Sequence, residues 1–409
     1  MTVKTSVPSR STITLDIVDG DLELGKHAIV KGLQSQARVR VNGTVYCEGG
    51  NSFECSLSAE NLEAENTVTI HGDLEIANTI EVQDGGLEVH GNVHAKEVDV
   101  DRALFVSKDF TVDDVEVGGS LRVEGNVKAE SIEVGGTFEA KAEVTAENVE
   151  VGGTLTIRSN AHINELEVGG TATVAGGKIL DIDVGGTFES TAPLEFKDID
   201  VGGTVRLIGN SKGEDIDVGG TFKAEGDLGF EKIEVGGTVD IAGTVQGCEM
   251  EVGGKIDING SLRLSGTLEV GGKISASGEI AAKDIEVGGT LRARKVDAEE
   301  RVEVGGTITT GEGTTARFVE IGRRGEVVGL IKAEEAVIGK DARVESVYGK
   351  EVLLRTGAIA DNVYGENVTI ESNCRINGEI QYTNRLSLGE DVSLAKTPQK
   401  VDRLPLQTK

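Results

Sequence analysis

The sequence predicts an all-β chain: a single long parallel β-helix, or β-solenoid, of about 17 residues per triangular turn and about 22 turns. Three observations predict it. The tripeptide Val-Gly-Gly recurs at a nearly constant spacing. Apolar residues between the glycines fall in pairs two apart. No useful length of chain carries the 3.6-residue apolar period of a helix.

The repeat is read from its valines: Val117, Val134, Val151, Val168, Val184, Val201, Val218, Val235, Val252, Val270, Val287 and Val304. Steps are 17 residues, with one of 16 and one of 18. The register extends back to Val100 and forward to Ile321 and Ile338 without the glycines. Within one unit the apolar positions are Val151, Leu155, Ile157, Ala161, Ile163 and Leu166. A spacing of two is the period of a strand with one buried face, and the wider gaps are corners. Three short strands and three corners complete a turn. The Gly-Gly corner suits positive φ, which other residues resist. Gly125-Asn126, Gly209-Asn210 and Pro193 mark a second corner, and polar pairs such as Asn164-Glu165 mark a third.

Composition agrees. The 409 residues include 57 glycines and no tryptophan, and aromatics are 3%. A narrow interior of Val, Ile, Leu and Ala fits that mix. One turn cannot close its own core, so stability is cooperative along the stack. The expected organisation is a flexible N-terminal tail over 1–12, a continuous β-helix over 13–394 and a disordered basic tail over 395–409. The β-helix is irregular over 13–99, regular over 100–320 and of a different rhythm over 321–394.

The net charge of −29 repels nucleic acid and anionic lipid, so neither is an expected partner. No run of 18 apolar residues occurs, and membrane insertion is not expected. Cys47, Cys55, Cys248 and Cys374 form no CxxC knuckle, which points to unpaired thiols in a reducing, cytoplasmic setting.

Stacking turns single positions into columns. The residue before the corner valine is acidic at Asp99, Glu116, Glu133, Glu150, Glu167, Asp183, Asp200, Asp217, Glu234, Glu251, Glu269, Glu286, Glu303 and Glu320. It points outward, either as a solvated face that resists sheet pairing or as a column that gathers divalent cations or a basic partner. A second column is threonine at Thr137, Thr154, Thr171, Thr187, Thr204, Thr221, Thr238, Thr290 and Thr307, read as structural.

Motifs of chemistry fail. Gly253-Gly254-Lys255 and Gly271-Gly272-Lys273 lack the upstream glycine of a phosphate loop. His90 and His94 flank the corner Gly91-Asn92 without a further ligand set. Uniform turns leave no insertions to build the groove of a polysaccharide-cleaving enzyme. A hexapeptide-type acyltransferase commonly relies on a histidine, and none follows His162. The expectation is no enzyme, no cofactor and no metal.

The segment 319–394 contains Gly-Glu-Val-Val-Gly-Leu-Ile-Lys-Ala (325–333), Glu-Val-Leu-Leu-Arg-Thr-Gly-Ala-Ile-Ala-Asp-Asn-Val (351–363) and Val-Thr-Ile-Glu-Ser-Asn-Cys-Arg-Ile-Asn-Gly (368–378). Its rhythm resembles the bactofilins, polymer-forming cytoskeletal proteins. The resemblance implies a right-handed β-helix that polymerises end to end, without nucleotide, into non-polar filaments. The short apolar membrane tail of many bactofilins has no counterpart in residues 1–12.

Solenoid ends expose strand edges and a cross-section of core. The predicted end residues are Ile13, Leu15, Ile17, Leu22 and Leu24 at one end and Leu386, Leu388, Val392 and Leu394 at the other. The expected partner is the chain itself, stacked end to end. Protein clients on a flat face of a rod that does not polymerise are the alternative. Lys396, Lys400, Arg403 and Lys409 make the C-terminal tail basic, either to solubilise or to strap onto an acidic column.

Overall fold

A computed structural model describes residues 4–33 and 38–405. Among them every regular element is a β-strand and none is a helix. The chain divides into two compact units, Met1–Gly203 and Thr204–Lys409. Each is a parallel β-solenoid, with about 23 turns in all at ~17 residues per turn.

One turn of the first unit shows the build. Face 1 is Ser131–Val134, face 2 is Thr137–Ala140, and face 3 opens Val144–Val151. The next turn stacks in parallel register, with Val134 on Val151, Phe138 on Leu155 and Val144 on Ala161. Ile132, Val134, Phe138, Ala140, Val144 and Ala146 are all buried, at the offsets the sequence pattern assigns. Phe53, Phe110, Phe138, Phe188 and Phe222 are fully buried among the aliphatic side chains.

The third corner is softer than expected. Val144–Val151 runs through it as one strand, and at the corner the carbonyl of Glu130 accepts from two successive amides, Glu147 at 3.1 Å and Asn148 at 2.9 Å. Two successive outward residues, Glu147 and Asn148, turn the chain between the buried Ala146 and Val149.

The Gly-Gly corner forms for a reason other than the one the sequence suggested. None of these glycines has positive φ. The glycine columns are required by stacking instead. A Cβ at Gly136 would lie 2.5 Å from the carbonyl oxygen of Gly119, and one at Gly153 2.5 Å from that of Gly136. Those carbonyls are held in place by the amides of Thr137 and Thr154, each at 3.0 Å. No side chain fits between identical rungs whose backbones approach this closely.

The second corner carries a ladder that sequence reading took for simple turn residues. The Asp73 carboxylate accepts from the Asn92 amide at 2.9 Å, Asn92 Oδ1 from the Asp109 amide at 3.2 Å, and the Asp109 carboxylate from the Asn126 amide at 2.9 Å. In the second unit Asn210 and Asp227 repeat it, accepting from Asp227 and Thr244. Each acceptor satisfies a corner amide that no strand reaches.

The turns are less uniform than expected. Leu22 pairs with Val45, 23 positions on, whereas Thr12 pairs with Ile29, 17 positions on. Near the C terminus turns shorten, with Val344 on Ala360 and Val352 on Val368. There the strands Glu326–Ile338, Arg343–Leu354 and Ile359–Ile370 each run through a soft corner.

Both expected tails take part in the fold. Lys4–Val7, placed in a flexible tail by the sequence, pairs with Asp21–Leu24. Gln399–Lys400, placed in a disordered tail, pairs with Gln381 and Tyr382. Alternating polarity was too short in both segments to register as a strand, but the neighbouring turn supplies the hydrogen bonds.

Candidate assembly surfaces

The acidic residues form the predicted columns. In the first unit Asp99, Glu116, Glu133, Glu150, Glu167, Asp183 and Asp200 succeed one another in register. In the second, Asp217, Glu234, Glu251, Glu269, Glu286, Glu303 and Glu320 do the same. The first column begins earlier than the sequence suggested, because Glu63 and Glu81 lie in register before Asp99. Irregular spacing over 13–99 hid them.

Burial, reinforced by Glu116, Asp101, Glu81 and Glu97, raises the Asp99 carboxyl above its ordinary range. Lys232 neutralises Glu234, and Arg301 lies 3.2 Å from Glu303. Stacked outward side chains run parallel rather than converging. Among the described residues no group of three or more His, Cys, Asp or Glu side chains could hold a metal ion.

The threonine column is also in register, and Thr221 and Thr238 share a hydrogen bond of 3.3 Å. His90 does not pair with His94. Its ring stacks on His71 at 5.1 Å, and Glu88 lies 3.2 Å from its Nε2. That arrangement comes from column register, which a spacing of four in sequence conceals.

The predicted end residues separate into three groups. Ile13 and Leu15 are half-buried on the N-terminal edge, as are Leu386, Val392 and Leu394 on the C-terminal edge, where Leu388 is 44% exposed. Leu22 and Leu24 are fully buried, because Lys4–Val7 covers them, and they are not edge residues. Ile17 is in register with Arg40 and points outward, 62% exposed.

The basic tail follows the second unit's own surface. After Gln399–Lys400, the Val401 amide donates to Tyr382 and the Tyr348 hydroxyl donates to the Pro405 carbonyl at 3.1 Å. Beneath this strap lies a cavity of about 740 Å³ floored by Ala316, Ala333 and Gly349, with Tyr348 and Leu404 on its walls. Arg317, Glu334 and Lys350 also line it, and with Glu300 they alternate in charge at 2.9, 4.0 and 3.0 Å. Lys396, Lys400 and Arg403 are exposed, and Lys409 lies outside the described residues.

No protein-family model matches the chain, and no curated protein or solved structure matches it either.

Proposed function

We propose that this chain is a structural scaffold protein that assembles with copies of itself through the edges of its solenoid. One observation carries the reading. Among the described residues, inward-facing apolar side chains at both edges remain partly exposed with no further rung over them: Ile13 and Leu15 at one, Leu386, Leu388, Val392 and Leu394 at the other. Such an edge is a template for a further rung. The resemblance of residues 319–394 to bactofilins supports the same reading, with filaments that need no nucleotide. The half-exposed leucines are where a second chain would complete the core.

A second reading rests on the acidic columns. A solenoid that does not polymerise would offer them as a platform for a basic protein partner. Negative-stain electron microscopy of the untagged protein over a range of salt and protein concentration separates the two. Uniform thin filaments support the scaffold. Isolated particles at every concentration overturn it and favour the platform.

A further inference from the structure

We infer that residues 399–405 of one copy seat in the groove of a second copy, and the second copy's in the groove of the first, so that exchanged straps join two chains. The inference rests on the self-assembly reading and names the segment and the groove that make the contact.

The groove comes from register. Ala316, Ala333, Gly349 and Gly365 succeed one another on adjacent rungs. Thr315, Lys332, Tyr348 and Tyr364 form the column to one side of them. Arg317, Glu334, Lys350 and Glu366 follow them in sequence and line the other side. Long side chains flanking small ones leave a trough along the stack, about 740 Å³ of it open. That size is within the range of ligand sites, about 300–1,000 Å³.

The chain itself shows what fits the trough. The strap pairs Gln399 with Gln381 and Lys400 with Tyr382, then crosses rungs until the Pro405 carbonyl accepts from the Tyr348 hydroxyl at 3.1 Å. Its hold is light. Val401 and Leu404 are half-buried, and no residue from 395 to 405 is fully buried. The cavity stays open beneath it. Segments that bury so little open at low cost. The link to the preceding strand, Ser393–Leu394, runs through Lys396 and Thr397, both exposed, and Pro398, which has no amide to give.

Three features favour a second copy as the occupant. Exchange of an identical segment remakes each bond that the strap makes on its own chain. Charge draws the segment to another copy: Lys396, Lys400 and Arg403 stand against Asp402 alone, in a chain of net charge −29. Direction agrees as well. The strap leaves the C-terminal edge and runs back over earlier rungs. A strap that crosses to a second chain meeting this one edge to edge therefore enters its groove from the same side and runs the same way. Like edges then face each other, in keeping with the non-polar filaments that the resemblance implies.

The test traps the exchange in full chains, with Cys248→Ser removing the half-buried thiol. One chain carries Gln381→Cys and the other Gln399→Cys, positions in register on adjacent strands. Such neighbours lie about 4.8 Å apart, within reach of a disulfide. Mixed and oxidised, the two chains are expected to give a disulfide-linked dimer, with peptide mapping joining position 381 of one to position 399 of the other. A chain carrying both substitutions is the control, and closes the same bond within itself. Closure there with no linked dimer in the mixture would overturn strap exchange and leave self-assembly through the edges standing. Leu404→Asp in both chains unseats the strap and should remove the linked dimer. A dimer that persists in its presence would mean chance oxidation and overturn the exchange. A wild-type chain that light scattering finds monomeric at every concentration would overturn both readings.

Discussion

Replacing Gly153 by alanine sets two physical accounts of the Val-Gly-Gly corner against each other. If glycine served only to supply backbone freedom, alanine would be tolerated, because φ is not positive there. It would then stabilise by about 0.4–1 kcal/mol, through the lower entropy of the unfolded chain. The structure predicts the opposite sign. The alanine Cβ would sit 2.5 Å from the Gly136 carbonyl oxygen, where ordinary contact begins near 3.4 Å. The rungs must part by about 0.9 Å, the difference between those distances. That carbonyl accepts the Thr154 amide at 3.0 Å, so the same movement breaks the rung's hydrogen bond. Overpacking of this kind costs about 1–3 kcal/mol.

A repeat array opens locally, so the assay is hydrogen exchange followed by mass spectrometry on peptides spanning 131–157. Exchange at Thr154 should accelerate by about 5- to 150-fold. Gly229→Ala is the matched control, because its Cβ would meet nothing closer than Lys212 Cγ at 3.5 Å. That control should be neutral or slightly protected. Unchanged or slower exchange in Gly153→Ala would refute close stacking as the reason for the glycine columns.

Asp99→Asn should raise the unfolding free energy read from urea titration at neutral pH by about 0.5 kcal/mol, since it removes a carboxylate from a column of like charges. The folded Asp99 carboxyl lies above its unfolded value, so its protonation favours folding at low pH and that contribution is lost as pH rises through the folded pKa. The advantage of the variant should therefore disappear on acidification. Asp109→Ala strips the acceptor from the Asn126 amide and should cost about 1 kcal/mol, read as faster exchange at Asn126. Thiol titration of the native chain should label Cys248 first. Burial pushes the Cys47 thiol up to about 12 and raises those of Cys55 and Cys374, so these should react only after denaturation.

The sequence by itself determined the solenoid, its period and the inward positions. Apolar offsets such as Val134, Phe138, Ala140 and Val144 encode face and turn without reference to any neighbour. It likewise determined the acidic and threonine columns over the array, because a fixed period makes sequence position and column the same thing. Where the period breaks, that equivalence is lost. Glu63 and Glu81 joined the acidic column and His71 met His90 through pairings that follow the six-residue excess in the Leu22–Val45 step, while Leu22 and Leu24 passed from the edge into the core because Lys4–Val7 pairs over them. The tertiary structure also decided what the glycines are for. A backbone too close for a Cβ is a property of two stacked turns, invisible in either one alone. Arg10 and Asp391 are a third case, since both take a left-handed backbone angle that Arg and Asp do not advertise.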